Sequence, residues 1–259
     1  MMNCKRITQH IVGWLKDYIE DIPSTGFIVG VSGGIDSALV STLCALTEKN
    51  VVLLNIPIHQ DSSQFSRATN HIDSLKSRFK NVTSFEIDLT ETFNQFENSL
   101  PSTLKNNQLA LANSRARLRM TTLYAIGQNN QCLVVGTGNK VEDFGVGFFT
   151  KYGDGGVDLN PIADLLKSEV TLLANYVGVD HEIVTAQPTD GLWGDDRNDE
   201  DQIGASYEEL EWAMAYTKSG NSSDLTSRQE EVLAIYSHLN RINQHKMKPI
   251  PVCDLSSVK

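Results

Sequence analysis

The stretch Gly30-Val31-Ser32-Gly33-Gly34-Ile35-Asp36-Ser37 carries the residue types of an anion site. It continues the apolar run Phe27 to Val31 and leads into a helical pattern over 36–47. Glycines after a strand let the backbone turn sharply and approach a ligand closely. Amides that open a helix lack intrahelical partners, and the helix dipole favours negative charge there. Ser32 and Ser37 add hydroxyl donors. Asp36 would repel a phosphate unless a cation bridges the two. Mg²⁺ commonly binds one or two carboxylates together with substrate phosphates, so a divalent ion resolves the conflict. Two other readings stay open on these residues alone. One is a plain strand-to-helix turn with an acid near the helix start. The other is a hydrolase nucleophile elbow, since Gly30-x-Ser32-x-Gly34 fits G-x-S-x-G with Ser32 as nucleophile. Only 29 residues precede the motif, which leaves little room for the strands that usually come first. The dinucleotide fingerprint and the Walker A sequence are both absent.

A second Gly-rich stretch covers 136–156 and contains Glu142 and Asp154. Between the two lies Asn113-Ser114-Arg115-Ala116-Arg117-Leu118-Arg119-Met120. Asn113 and Arg117 share a helix face, whereas Arg119 points elsewhere. Spacing alone allows a basic solvated face as readily as an Arg117 fork on a phosphate or carboxylate. Lys167 opens a later helical stretch, where an isolated lysine is more often solvated surface.

These residues need a scaffold, and the pattern supplies one. Helices are expected over 7–19, 36–47, 64–79 and 108–128, with apolar strands at Phe27 to Val31, Val51 to Ile56, Val82 to Ile87 and Cys132 to Val135. Strands that are apolar runs alternating with helices indicate an α/β fold: an open, mostly parallel sheet with helices on both faces. Ligands bind beyond the carboxyl ends of such strands. Both Gly-rich segments follow strands, so both belong on the same rim. The second half reads as helices over 164–177, 206–218 and 225–244, with a Gly, Asp and Asn-rich flexible loop over 187–204. No repeat or clear linker divides the chain, and residues 1–259 read as one domain.

Composition narrows the partners. Hydrophobic residues make up 40% and charged residues 21% of 259, an ordinary globular balance. A formal net charge of -10 argues against a broad nucleic-acid footprint but permits an anionic small ligand in a local basic pocket. No apolar run approaches the roughly 20 residues of a membrane span, and the first nine residues lack a signal core. Cys4, Cys44, Cys132 and Cys253 show no metal-like or paired spacing, which suits reduced thiols in the cytoplasm.

Ser32-Gly33-Gly34-Ile35-Asp36-Ser37 resembles the SGGxDS loop of the ATP pyrophosphatases, which cleave ATP between the α- and β-phosphates. That loop fixes the superfamily and leaves the substrate open. Asn113 to Met120 resembles the N-x-x-A-R-x-R-M helix of NAD synthetases. Gly136-Thr137-Gly138-Asn139-Lys140-Val141-Glu142, followed by Gly147-Phe148-Phe149-Thr150-Lys151-Tyr152-Gly153-Asp154-Gly155-Gly156-Val157-Asp158-Leu159-Asn160-Pro161, is similar to the GTxxxxE…GxFTKxGDGGxDxxP signature of the same family. Pro188-Thr189, Asp199-Glu200-Asp201 and His245-Lys246 continue the resemblance, which runs from about residue 7 to 250. Asp190 stands where alanine is usual, and the tail after Pro251 lacks the aromatic-acidic ending of many relatives.

The resemblance implies an ammonia-dependent NAD synthetase, a carbon–nitrogen ligase that amidates deamido-NAD through an adenylated carboxylate. It implies ATP binding by residues 30–37 (Gly30, Val31, Ser32, Gly33, Gly34, Ile35, Asp36 and Ser37) with Thr137, Lys167 and Thr189. Mg²⁺ falls to Asp36 and Glu142, and deamido-NAD to Asn113, Arg117, Lys151, Asp158, His245 and Lys246. Asp154, Lys167 and Ser32 are the catalytic candidates, Asp154 as the group that takes a proton from ammonium. Free ammonia is the expected nitrogen donor, because no stretch is left for an amidase domain. A homodimer is implied as well. The rivals are a tRNA-modifying ATP pyrophosphatase, which wants a basic surface and often cysteine pairs, a serine hydrolase using Ser32, and a non-catalytic nucleotide-binding module.

Overall fold

The computed structural model describes residues 2–104, 106–187, 198–220, 224–256 and 258. Four short parallel strands form the sheet: β1 (Gly26–Gly30), β2 (Asn50–Asn55), β3 (Val82–Glu86) and β4 (Cys132–Val134), in the order β3-β2-β1-β4. In register, Phe27 lies beside Val51 and Leu133, and Val52 lies beside Thr83. A bridge between Val135 and Leu159 prolongs the β4 edge.

The apolar runs are read out on two faces. Phe27, Val29, Val51 and Leu53 point into one core, and Ile28, Val52, Leu54 and Val134 into another. This is the pleat's period of two applied to strands covered on both sides. The first face carries α1 (Cys4–Glu20), α2 (Ile35–Ala45), α3 (Ser62–Arg78) and α6 (Lys167–Val177). The second carries α5 (Gln108–Asn129), whose Leu123, Tyr124 and Ile126 pack on the strands. Every residue of α2 except Asp36 is buried, because the helix is enclosed by the sheet and its helical neighbours.

A separate apolar cluster joins a single π-helical stretch, Lys140–Val146, to α8 (Asp199–Ile203), α9 (Tyr207–Ser219) and α10 (Ser227–Ile242). Reciprocal caps define the starts of the last two. Ser206 and Glu209 close one, and Thr226 and Gln229 the other. Two smaller helices, α4 (Thr90–Ser99) and α7 (His181–Thr185), a 3-10 turn at Ser102–Leu104 and the terminal turn α11 (Gln244–Met247) complete the helices of the described residues.

The predicted elements stand, with boundaries shifted by a few residues; the helix expected from 164 starts at Lys167. α4, the π-helical stretch and α7 were not among the expected elements. Residues 199–203, expected in a loop, form a helix closed by Asn198 and Asp201. Acidic residues in a first turn favour a helix, and that signal was hidden among glycines and asparagines. Among the described residues, no helix is long and apolar enough to cross a membrane. The four cysteines are free.

Candidate active site

Gly33 adopts φ +87°, and a Cβ there would lie 2.4 Å from the carbonyl oxygen of Gln64. The turn between β1 and α2 therefore demands glycine twice over, for backbone conformation and for space. Ser32 N–H donates to Ser37 Oγ at 3.2 Å, and Ser37 Oγ donates to Gly34 O at 2.9 Å. The two hydroxyls lie 3.1 Å apart. The first intrahelical bond runs from Ala38 N to Gly34 O, so the amides of residues 35–37 have no partner inside the helix. Ser32 Oγ bonds only within this turn among the described residues. The buried His71 spends its Nε2 on Ser41, and His59 pairs with Asn94. Among the described residues no histidine bonds to Ser32, which counts against the hydrolase elbow.

The second Gly-rich segment reaches the same rim. Asn139 caps the π-helical stretch, its side-chain oxygen accepting from Val141 N and Glu142 N. Its amide nitrogen donates to Asp36 Oδ1 at 3.1 Å. Lys167, first residue of α6, enters from a third direction. Its Nζ lies 2.7 Å from Asp36 Oδ2 and 2.9 Å from Glu142 Oε1. Tyr207 donates its hydroxyl to Glu142 Oε1 at 2.6 Å, and its ring lies 4.8 Å below the Lys167 ammonium.

Burial is the largest influence on all three charged groups. It carries the Asp36 carboxyl above the usual range despite Lys167. For Glu142 the pull of Lys167, with bonds from Lys167, Tyr207 and Asn139, outweighs burial and brings the group below it. For Lys167 the two acids overcome burial, so the ammonium stays charged.

A cation can thus sit within bonding distance of two acidic oxygens at this point, and Lys167 Nζ marks it. Two carboxylates for one ammonium leave negative charge to spare. Among the described residues no cluster of three or more His, Cys, Asp and Glu side chains has metal-holding geometry. A pair of carboxylates suits Mg²⁺ that completes its octahedron with phosphates and water, rather than an all-protein cage. The donor set fits that ion.

A second group forms around the turn 147–156. Asp154 Oδ1 accepts from Thr150 N at 3.0 Å, and Thr150 Oγ1 donates to Asn113 at 2.5 Å. Asp154 faces solvent while protein mass around it raises its carboxyl above the ordinary range. Arg117 Nε donates to Lys151 O at 3.3 Å, and Lys151 Nζ to His245 O at 2.5 Å. Lys246 Nζ donates to Gly147 O and Phe149 O, both at 2.8 Å, and burial lowers its pKa. Its ammonium, expected at the dinucleotide, here holds the turn. Asp158 is tied to the sheet: Tyr124 OH donates to one oxygen and Val134 N to the other. Thr137 follows β4 at the rim, and Thr189 lies outside the described residues.

Three side chains escaped the sequence reading. Asn139 sits inside a quoted motif yet carries no charge to advertise it. Tyr207 lies at the start of the helix expected over 206–218, where nothing marks it. Arg119 was set aside, yet it donates to Ile56 O and Gln60 Oε1, and burial lowers it to about 10.

A family model described as NAD synthase matches residues 7–250. The chain belongs to the NAD synthase family. It is 35% identical over 247 residues to an NH(3)-dependent NAD(+) synthetase of Mesoplasma florum, covering 95% of each chain. It is 36% identical over 256 residues to one of Alkaliphilus metalliredigens, covering 94% of this chain and 96% of that one. Among solved structures it resembles an NMN synthetase from Francisella tularensis, with TM-score 0.84 and 29% identity over 98% of this chain and all of that one. An NH3-dependent NAD synthetase from Campylobacter jejuni matches with TM-score 0.78 and 27% identity over the same shares. The α/β architecture found here is thus the one shared by this family.

Proposed function

We propose that the chain amidates deamido-NAD with ammonia at the expense of ATP, giving NAD, AMP and pyrophosphate. The observation that carries this reading is the meeting of Asp36, Glu142 and Lys167 at the Ser32–Ser37 turn, in a chain whose family match spans nearly its whole length.

In the first step a nicotinate carboxylate oxygen attacks the α-phosphorus of ATP. The bond to the bridging oxygen breaks and pyrophosphate leaves. Two anions must be brought together, so charge neutralisation dominates the barrier. The amides opening α2 and the Ser32 and Ser37 hydroxyls face the phosphates. Lys167 can transfer its ammonium from the acids to a phosphate oxygen without leaving the rim. Asp36 and Glu142 would hold Mg²⁺, whose contribution is to neutralise triphosphate charge.

In the second step ammonia attacks the acyl carbon. The bond from carbon to the phosphate oxygen breaks, AMP leaves and nitrogen loses a proton. Asp154 is the proposed acceptor, since Thr150 N–H fixes one of its oxygens while the carboxylate stays open to the cleft. Its raised affinity for protons suits a group that takes one from ammonium. Such general-base help typically contributes about 10²–10⁴-fold. Arg117 and Lys151 beside the turn offer cationic partners for an anionic dinucleotide, and His245 stands next to Lys151 as a further polar partner. The homodimer belongs to the same proposal, and sedimentation at several concentrations tests it.

Incubation with ATP, Mg²⁺, deamido-NAD and ammonium should yield NAD, AMP and pyrophosphate in equal amounts. Formation of ADP would overturn cleavage between the α- and β-phosphates. The similarity to an NMN synthetase favours a second acceptor, nicotinic acid mononucleotide, which offers the same carboxylate without the adenylyl half. Parallel assays with both acceptors, compared as kcat/KM, decide between them.

A further inference from the structure

We infer that Tyr207 is a positioning residue that fixes the Glu142 carboxylate and couples it to α8. The inference rests on the functional reading above. Tyr207 is 7% exposed, as is Asp199, the first residue of α8. The Tyr207 hydroxyl lies 2.6 Å from Glu142 Oε1 and 3.4 Å from Asp199 Oδ2. Its own amide donates to Glu200 Oε1 at 2.8 Å. Both ends of this one residue are therefore engaged with the first two residues of α8, and one of them also with the acid pair.

The arrangement does more than fill the core. Glu142 Oε1 accepts from two donors, the Lys167 ammonium and the Tyr207 hydroxyl. The ring of Tyr207 at the same time lies under that ammonium. When Lys167 turns to a phosphate, the 2.6 Å bond from the hydroxyl remains, with Asn139, to keep Glu142 in place. The hydroxyl also lies within hydrogen-bond reach of both Glu142 and Asp199. A phenylalanine would preserve the ring, its packing and its contact with the ammonium, and would delete only the hydroxyl. A buried hydrogen bond to a charged group is lost in that change, which corresponds to roughly tenfold or more.

The experiment compares wild type with Tyr207→Phe, and with Asp199→Asn as a second variant. Mn²⁺ binding in the presence of a non-hydrolysable ATP analogue is followed by electron paramagnetic resonance. Steady-state kinetics are measured in parallel. Tyr207→Phe is expected to weaken Mn²⁺ binding about tenfold and to lower kcat by a similar factor, with KM for the acceptor and for ammonium within about twofold. Asp199→Asn is expected to shift Mn²⁺ binding less, in the same direction. Equal Mn²⁺ binding by wild type and Tyr207→Phe, including no binding by either, would overturn the inference. Failure of the wild type to form an amide product would count separately, against the reading of the reaction.

Discussion

The two halves of the site are built differently. The acid–ammonium cluster of Asp36, Glu142 and Lys167 is made of side chains that start at helix openings and satisfy one another. The group around 147–156 is held by cations given to backbone carbonyls: Lys151 to His245, Lys246 to Gly147 and Phe149, Arg117 to Lys151. The first half can pre-organise charge, because its members are largely shielded and have few other places to go. The second half is more open, and Arg117, exposed and with a long bond, can exchange its carbonyl for an anionic ligand at little cost, whereas Lys246 is held by two carbonyls. A site that performs charge-neutralising chemistry on one side and admits a large dianion on the other needs that asymmetry.

The largest effect is expected where the closed half is broken. Asp36→Asn keeps the shape of the side chain, and Lys167 retains Glu142 as a partner. Turnover should fall by about 10²–10³-fold or more, while the far-ultraviolet circular dichroism and the melting transition stay close to wild type. Near-normal NAD formation by this variant would remove the metal assignment.

The scaffold behind the closed half should respond to pH. His71 is 4% exposed and bonds to Ser41 of α2, 2.9 Å away. Burial, with Arg78 nearby, lowers its pKa from 6.5 to about 4. Above pH 6.5 the ring is neutral whether the chain is folded or not, and its contribution to stability is complete. As pH falls below 6.5 the unfolded chain takes up the proton first, so stability declines. Below about 4 both states are protonated and the decline ends. The full loss is about 3 kcal/mol. Urea unfolding of wild type and His71→Gln at pH 7.5 and pH 5 tests this, and a pH dependence equal in the two proteins would refute it.

The open half should lose less. Lys246→Met removes two hydrogen bonds to backbone carbonyls and leaves Gly147 O and Phe149 O without that donor. A cost of about 1–3 kcal/mol is expected, with KM for the acceptor rising more than kcat falls. A change confined to kcat would instead give Lys246 a part in the chemical steps.

Legibility followed the same division. The turn at 32–37 could be read because Gly33 has no substitute there and Asp36 makes no sense beside phosphate without a cation. The strands were legible because both faces are covered and each reads as an apolar run. The turn at 147–156 was legible from its likeness to a family, yet the bonds by which Lys246 holds it were not. Its partners are carbonyl groups, which leave no mark in a sequence. The bonds that Asp158 accepts from Val134 N and Tyr124 OH were hidden for the same reason. Tyr207 and Asn139 were missed because neutral side chains that position charged ones resemble ordinary helix-start residues.

Arg117 gives the smallest structural effect and the sharpest test of the open half. It is exposed, and its hydrogen bond to Lys151 O is long at 3.3 Å. Replacing it with alanine should change stability by no more than about 0.5 kcal/mol. If the guanidinium turns from that carbonyl to a phosphate or carboxylate of the acceptor, Arg117→Ala will raise KM for the acceptor about tenfold, with KM for ATP little altered. Arg117→Lys should recover only part of this, since a single ammonium cannot reproduce a two-pronged contact. An unchanged KM in both variants would return Arg117 to the basic solvated face that spacing alone allowed, and would leave Lys151 as the cation of the cleft wall.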